Sequence, residues 1–235
     1  MDDREPVCYS YDGSFAGLLT CMDESFRRGE EPVGIYPPED ERISMYPRRR
    51  VSTDLIRARR FYRGIQESAS RDAQQLVAHA FLTCLEDRER AIWQFLELAR
   101  RKGPAVMYHL SDKRVVTLNR AVRSMAGEAR QWRTAARFRD CNGLLWSAIT
   151  PENRVLYLLR AHLCRRFSHE TLLVYDSAHG EALLYREGKW RIRPAGALEL
   201  PPERPGEEDC LRLWRSFDEL WYPKRRRQRE QGDEA

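Results

Sequence analysis

Residues 143–193 read GLLWSAITPENRVLYLLRAHLCRRFSHETLLVYDSAHGEALLYREGKWRIR, and this stretch decides the fold class. Gly143–Ile149 is an apolar run of strand length. Thr150-Pro151-Glu152 follows as a helix start, with Thr at the N-cap and Pro in the first turn, and the helix runs to about Phe167. Thr171–Asp176, Glu181–Arg186 and Lys189–Arg193 read as three short strands, the first two forming a hairpin around Ala178–Gly180. A last helix spans about Glu208–Trp221, and Pro223 stops it. The order β-α-β-β-β-α predicts a mostly antiparallel sheet carrying the 151–167 helix.

Upstream of residue 140 the pattern is helical. Val7-Cys8-Tyr9-Ser10-Tyr11 reads as a strand, and Asp12 as the N-cap of a helix that Gly29 closes. Residues 30–47 hold four prolines among acids and read as a loop, with a brief strand at Val33–Tyr36. Helices then start at Ser52-Thr53-Asp54, at Ser70 and near residue 88, the last stopping at Gly103-Pro104. The longest helix is expected over Asp112–Phe138. Its apolar residues Val115, Leu118, Val122, Met125, Ala129, Trp132 and Ala136 recur at alternating spacings of three and four, a seam suited to packing in a bundle. The fold class is α+β: an N-terminal strand and helix, a helical bundle over 54–138, then the C-terminal portion. The division expected is 1–140, 141–222 and a charged tail, 223–235, that frays.

With 42% hydrophobic residues, the 235-residue chain can build a core. Mean hydropathy is −0.70, and no apolar run reaches the ~20 residues of a membrane span. The opening Met1–Pro6 is acidic and lacks the apolar centre of a secretory signal, so a cytoplasmic protein without membrane contact is expected. The six cysteines, Cys8, Cys21, Cys84, Cys141, Cys164 and Cys210, form no CxxC or CxxxCxxC motif. They are expected as reduced, mostly buried thiols, with no metal site and no cofactor in this chain.

Charge is segregated. Residues 1–41 carry a net charge of −8, residues 42–167 carry +15, and residues 168–209 carry −4. Arginine accounts for all but four of the 41 basic residues, and its planar fork suits phosphates and base edges. Arg48, Arg49, Arg50, Arg57, Arg59, Arg60 and Arg63 face only Asp54 within their own stretch. Arg120, Arg123, Arg130 and Arg137 lie opposite the apolar seam of the long helix, where Glu128 is the single acid between Lys113 and Arg139. These arginines are the nucleic-acid-binding candidates. The alternative is a solvated face whose partners lie elsewhere, for instance in the acidic 1–41 segment.

His162 and Arg166 share a helix face, and Asp176 ends the following strand. Together they are the candidates for acid–base work on a phosphate or a base. The alternative is a structural pair of His162 or Arg166 with a carboxylate. Asp12-Gly13-Ser14 reads as a cap rather than an anion site, because Asp12 is negative. No P-loop, GxSxG or HExxH motif is present.

Tyr11-Asp12-Gly13-Ser14-Phe15 with Gly17-Leu18-Leu19-Thr20, then Thr53-Asp54, Phe81-Leu82, Arg137-Phe138, Ile149-Thr150-Pro151-Glu152, His162 to Arg166-Phe167, Tyr175-Asp176 and Leu213-Trp214 occur in an order that resembles a bacterial family described as "probable DNA metabolism protein". That resemblance implies company with a radical-SAM protein of DNA modification or repair, and kinship to a domain joined to some uracil-DNA glycosylases. Any Fe–S cluster and SAM would then belong to the partner alone. The chain departs from the family pattern at Arg130, at Thr134-Ala135-Ala136 and in the shortened tail after Pro223. The expected function is a DNA repair or modification accessory protein that binds DNA through its arginines. The alternatives are an enzyme acting on DNA with His162, Arg166 and Asp176, and a protein adaptor that does not bind nucleic acid.

Overall fold

The computed structural model describes residues 6–38 and 45–222. The chain is α+β and forms two compact units, Met1–Met125 and Ala126–Ala235, which divide within a helix rather than at residue 140. The tail expected over 223–235 lies outside the described residues.

The first unit opens with β1 (Pro6–Ser10), α1 (Phe15–Arg28), β2 (Glu31–Tyr36) and β3 (Arg48–Arg50). The three strands form one parallel sheet in the order β2-β1-β3. β2 enlarges the expected Val33–Tyr36 strand. β3 was not expected at all, because three consecutive arginines carry no strand pattern of their own. Helices α2 (Leu55–Ser68), α3 (Arg71–Ala80) and α4 (Arg88–Lys102) follow, then a 3-10 turn over Gly103–Tyr108 and α5 (Lys113–Ala135), which continues into the second unit.

Caps set these boundaries. Ser14, not Asp12, caps α1 by accepting from the Gly17 N–H, and Gly29 ends it with a left-handed φ of 67°. Asp54 accepts from the Ile56 and Arg57 N–H groups at the start of α2, and Ser70 from Ala73 at the start of α3. The buried core of the unit includes Tyr9, Leu18, Met22, Ile65, Trp93 and Phe95. Along the α5 seam Val115, Leu118, Met125 and Ala129 are buried, as the spacing requires.

The second unit contains β4 (Arg139–Cys141), β5 (Leu144–Ile149), α6 (Leu156–Arg166), β6 (Thr171–Asp176), β7 (Glu181–Arg186), β8 (Lys189–Pro194) and α7 (Glu207–Trp221). The sheet order is β4-β5-β6-β7-β8. The expectation of a mostly antiparallel sheet is corrected to a mixed one. α6 carries the chain back along the sheet, so β5 and β6 run parallel, whereas the remaining neighbours are antiparallel. β4 also escapes the sequence reading, although Asn142-Gly143, with φ of 53° and 87°, makes the two-residue turn typical of hairpins. Phe217 and Leu213 of α7 cover the sheet face that presents Leu144, Leu173 and Leu184.

Two further expectations are overturned. The helix expected from Pro151 starts at Leu156 instead. Glu128 of α5 takes the Glu152 and Asn153 N–H groups at 2.6 and 3.0 Å, and the Asn153 side chain at 2.7 Å, which holds this segment outside the helix. The thiols are not all reduced: Cys141 and Cys210 form a disulfide that ties β4 to α7. Cys8 and Cys21 are buried free thiols, while Cys84 is exposed and Cys164 half-buried. No helix among the described residues is long and apolar enough to cross a membrane.

Candidate functional site

The polar groups near His162 fall into two separate places. Asp176, fully buried at the end of β6, accepts from the Ala178 and His179 N–H groups through Oδ1, both at 3.1 Å. Its Oδ2 lies 2.7 Å from His179 Nδ1. The partner of Asp176 is therefore His179, three residues along in the β6–β7 turn, and not His162. Beside them Arg154 donates to Glu181 at 2.6 Å, and Thr150 Oγ1 meets Ser177 Oγ at 2.9 Å. Burial raises the Glu181 carboxyl above its ordinary range, with Arg154 pulling against it.

His162 sits four residues before the end of α6, about 6 Å from its C-terminus. That end of α6 feeds the start of β6, and Asp176 lies at the far end of the strand. His162 is half-buried. Partial burial, then the charges of Arg133, Arg166 and Arg165, lower its pKa below the usual 6.5. Its neighbours are therefore cationic, and it pairs with no carboxylate among the described residues. Arg166 is exposed, with its guanidinium 5.1 Å from the Phe167 ring centre. The structure thus places His162 and Arg166 in one environment and Asp176 in another. His179 was missed by sequence reading, and the signal available was an Asp three residues before a His-Gly turn.

The arginines divide by what they touch. Arg57 donates to Asp23 and Glu24 at 2.8 and 2.6 Å, and this pairing holds its guanidinium above its ordinary pKa. Arg49 donates to Glu30 at 2.8 Å. Both are thus engaged by the acidic N-terminal segment, as the alternative reading anticipates. Arg50, Arg59, Arg60 and Arg63 are exposed and have no carboxylate partner among the described residues. The same is true of Arg120, Arg123, Arg130 and Arg137. Arg60 also lines a groove of about 280 Å³ with Phe61, Leu96 and Arg100.

Strand alternation sorts the β3 triplet. Arg49 pairs in register with Tyr9, whose hydroxyl also donates to Glu30. Arg48 and Arg50, two residues apart, take the other side of the strand. They line a cleft of about 580 Å³ with residues that follow β1 and β2. The Arg48 guanidinium also lies 5.2 Å from the Tyr36 ring centre.

Among the described residues no group of three or more His, Cys, Asp or Glu side chains gathers as a metal site would require. A family model for a domain of unknown function matches residues 86–234, more than half of the chain. No curated protein matches it.

Proposed function

The chain belongs to the DUF4130 family, whose function is unknown, and on that footing we propose that it is a DNA repair or modification accessory protein that binds nucleic acid and works with a radical-SAM partner. The observation that carries the proposal is the set of exposed arginines without carboxylate partners: Arg50, Arg59, Arg60 and Arg63, with Arg120, Arg123, Arg130 and Arg137. A cation that pairs within the fold has its charge already compensated, whereas these eight remain available to phosphates. The radical-SAM partner is supported by the family resemblance of the sequence.

Binding of this kind depends steeply on salt, because each duplex phosphate neutralised adds ~0.9 to the slope of log K against log salt. The test is the triple variant Arg59→Ala, Arg60→Ala, Arg63→Ala, followed by fluorescence anisotropy over a salt series. Arg57 is left in place because Asp23 and Glu24 hold it. The slope should fall by about 2 to 3 units, with similar weakening on every DNA sequence. An unchanged slope in a folded variant would assign these arginines to a protein partner. Co-purification with the radical-SAM protein tests the second half of the proposal.

A further inference from the structure

Phe26 of α1 reaches between two neighbouring helices. Its ring stacks on Phe61 of α2 and on Trp93 of α4, with ring centres 6.0 and 5.7 Å apart. α2 and α4 otherwise meet only lightly, and the groove of about 280 Å³ opens along this seam. Its apolar lining is Phe26, Phe61, Ile65, Ala69, Leu96 and Ala99. Gly64 stands on the α2 wall. A glycine in the middle of a helix costs stability relative to alanine, yet nothing lies within 4 Å of where its Cβ would be. Packing therefore does not call for a glycine there. Its effect is to leave open the groove that a larger side chain would enter.

The polar groups of the lining divide in two. Asp23 accepts from Arg57 at 2.8 Å, and the Ser68 hydroxyl donates to the Gly64 carbonyl at 2.7 Å, so both are satisfied within the fold. Arg60 on the α2 wall and Arg100 on the α4 wall are exposed and have no carboxylate partner among the described residues. The acids that share a neighbouring cavity with Arg100 are themselves taken, Glu30 by Arg49 and Glu97 by Arg101. The Arg100 guanidinium lies 4.7 Å from the Phe26 ring centre. That contact orients the guanidinium without neutralising it, and leaves its edge N–H groups to an anion.

The groove thus combines an apolar floor with one uncompensated cation on each wall. We propose that it binds a small anionic amphiphile, with an apolar aliphatic or aryl body on the floor and a single anionic head held by Arg100 and Arg60. A nucleoside does not fit, because the floor offers no free group to its sugar hydroxyls and base edges, and burying them unpaired is costly. A peptide laid into the groove meets the same obstacle with its backbone. The volume lies just below the ~300 Å³ at which drug-sized sites begin, which calls for a small body. The proposal does not rest on nucleic-acid binding, although Arg60 takes part in both.

The test is isothermal titration of the full chain with octanoate, phenylbutyrate and octyl sulfate. Acetate, octanol and octylammonium serve as comparisons that remove the body, remove the charge and reverse its sign. At least one amphiphilic anion should bind one-to-one, about tenfold or more tighter than each comparison compound. Removing the charge loses a charge-assisted hydrogen bond, and removing the body loses several buried CH₂ groups. Preference for octanoate over octyl sulfate identifies a carboxylate head, and the reverse identifies a sulfate or phosphate ester. Gly64→Leu fills the groove and should weaken the anion about tenfold or more. Leucine favours a helix over glycine, so this variant should fold. Its DNA salt slope should match the parent, because Arg59, Arg60 and Arg63 are untouched, so the two proposals fail separately. Arg100→Ala should weaken the anion about tenfold and leave octanol unmoved, a split that a structural role would not produce. No binding of any of the three anions up to about 5 mM, equal binding of octanol or octylammonium, or affinity unmoved by Gly64→Leu would each overturn the proposal. So would a parent that dimerises where Gly64→Leu stays monomeric, which gives the groove to a second copy of the chain.

Discussion

Carboxyl ends of parallel strands come together twice in this chain, at Ser10 and Arg50 in the first sheet and at Ile149 and Asp176 in the second. In the second unit the edge is closed by its own loops. The Ser177 N–H donates to the Ile149 carbonyl at 3.0 Å, the Ser177 hydroxyl meets Thr150, and both carboxylate oxygens of Asp176 are taken by the turn that follows. In the first unit the main-chain bonds recur, from the Val51 N–H to the Ser10 carbonyl at 2.9 Å and from the Tyr11 N–H to the Tyr36 carbonyl at 3.2 Å, and Asp12 is held by Ser14 and Thr53, but Arg50 is exposed with no carboxylate partner among the described residues. The contrast teaches that strand direction offers a site and the loop residues decide whether it is spent. Polar groups consumed within the fold stabilise it, whereas charges left facing a cleft remain available for a ligand.

If the second edge is structural, breaking its unit should cost stability and leave the first edge intact. The largest effect should come from the disulfide. Replacing Cys141 and Cys210 by Ser removes a link between residues 69 apart in sequence and should cost about 3–4 kcal/mol in urea unfolding. Asp176→Ala comes next. It leaves three donors of a partly exposed turn without their acceptor and should cost about 1–2 kcal/mol in the same measurement. Arg50→Ala, at an exposed position without a carboxylate partner among the described residues, should stay within about 0.5 kcal/mol of the parent. A stable Asp176→Ala variant would end the contrast.

The smallest effect is one of pH. Burial raises the Glu181 carboxyl above its ordinary value of 4.5, despite Arg154. The native state therefore keeps this proton longer than the unfolded chain does. The stability contributed is full below pH ~4.5 and is lost as pH rises through the folded-state value. Urea unfolding at a series of pH values should show the parent losing ground to Glu181→Gln across that rise. Parallel curves for the two would show that the carboxyl does not carry the burial cost.

What could be read in the sequence follows the range of the interactions involved. Helices α1 to α3 were legible because their caps are local: Ser14, two residues from the expected Asp12, and Asp54 and Ser70 each satisfy N–H groups within three residues. The strands β5 to β8 were legible from their apolar runs. The start of α6 was misread because its decisive partner, Glu128, lies 25 residues upstream of Asn153 and looked like a lone acid on a basic helix. β3 was invisible because only its pairing with β1 makes it a strand, and the Cys141–Cys210 link has no local signature. For the candidate site, the sequence supplied Arg48 and Arg50 as charge. It could not supply their separation from Arg49, which depends on the register with Ser10 and Tyr9. Asp176 was singled out with the wrong partner, since an i,i+3 contact in a turn was passed over for one on a distant helix.

The β3 register carries a consequence for how this protein can change. Arg48-Arg49-Arg50 works as a reading frame: two arginines address the cleft and the middle one answers Glu30 and Tyr9. Because strand side chains alternate, a slip of β3 by one residue against β1 would invert the frame. One arginine would then face the cleft and two would crowd against a single carboxylate, with the composition of the strand unaltered. The role of each arginine in the triplet therefore rests on its register with β1 as much as on its charge.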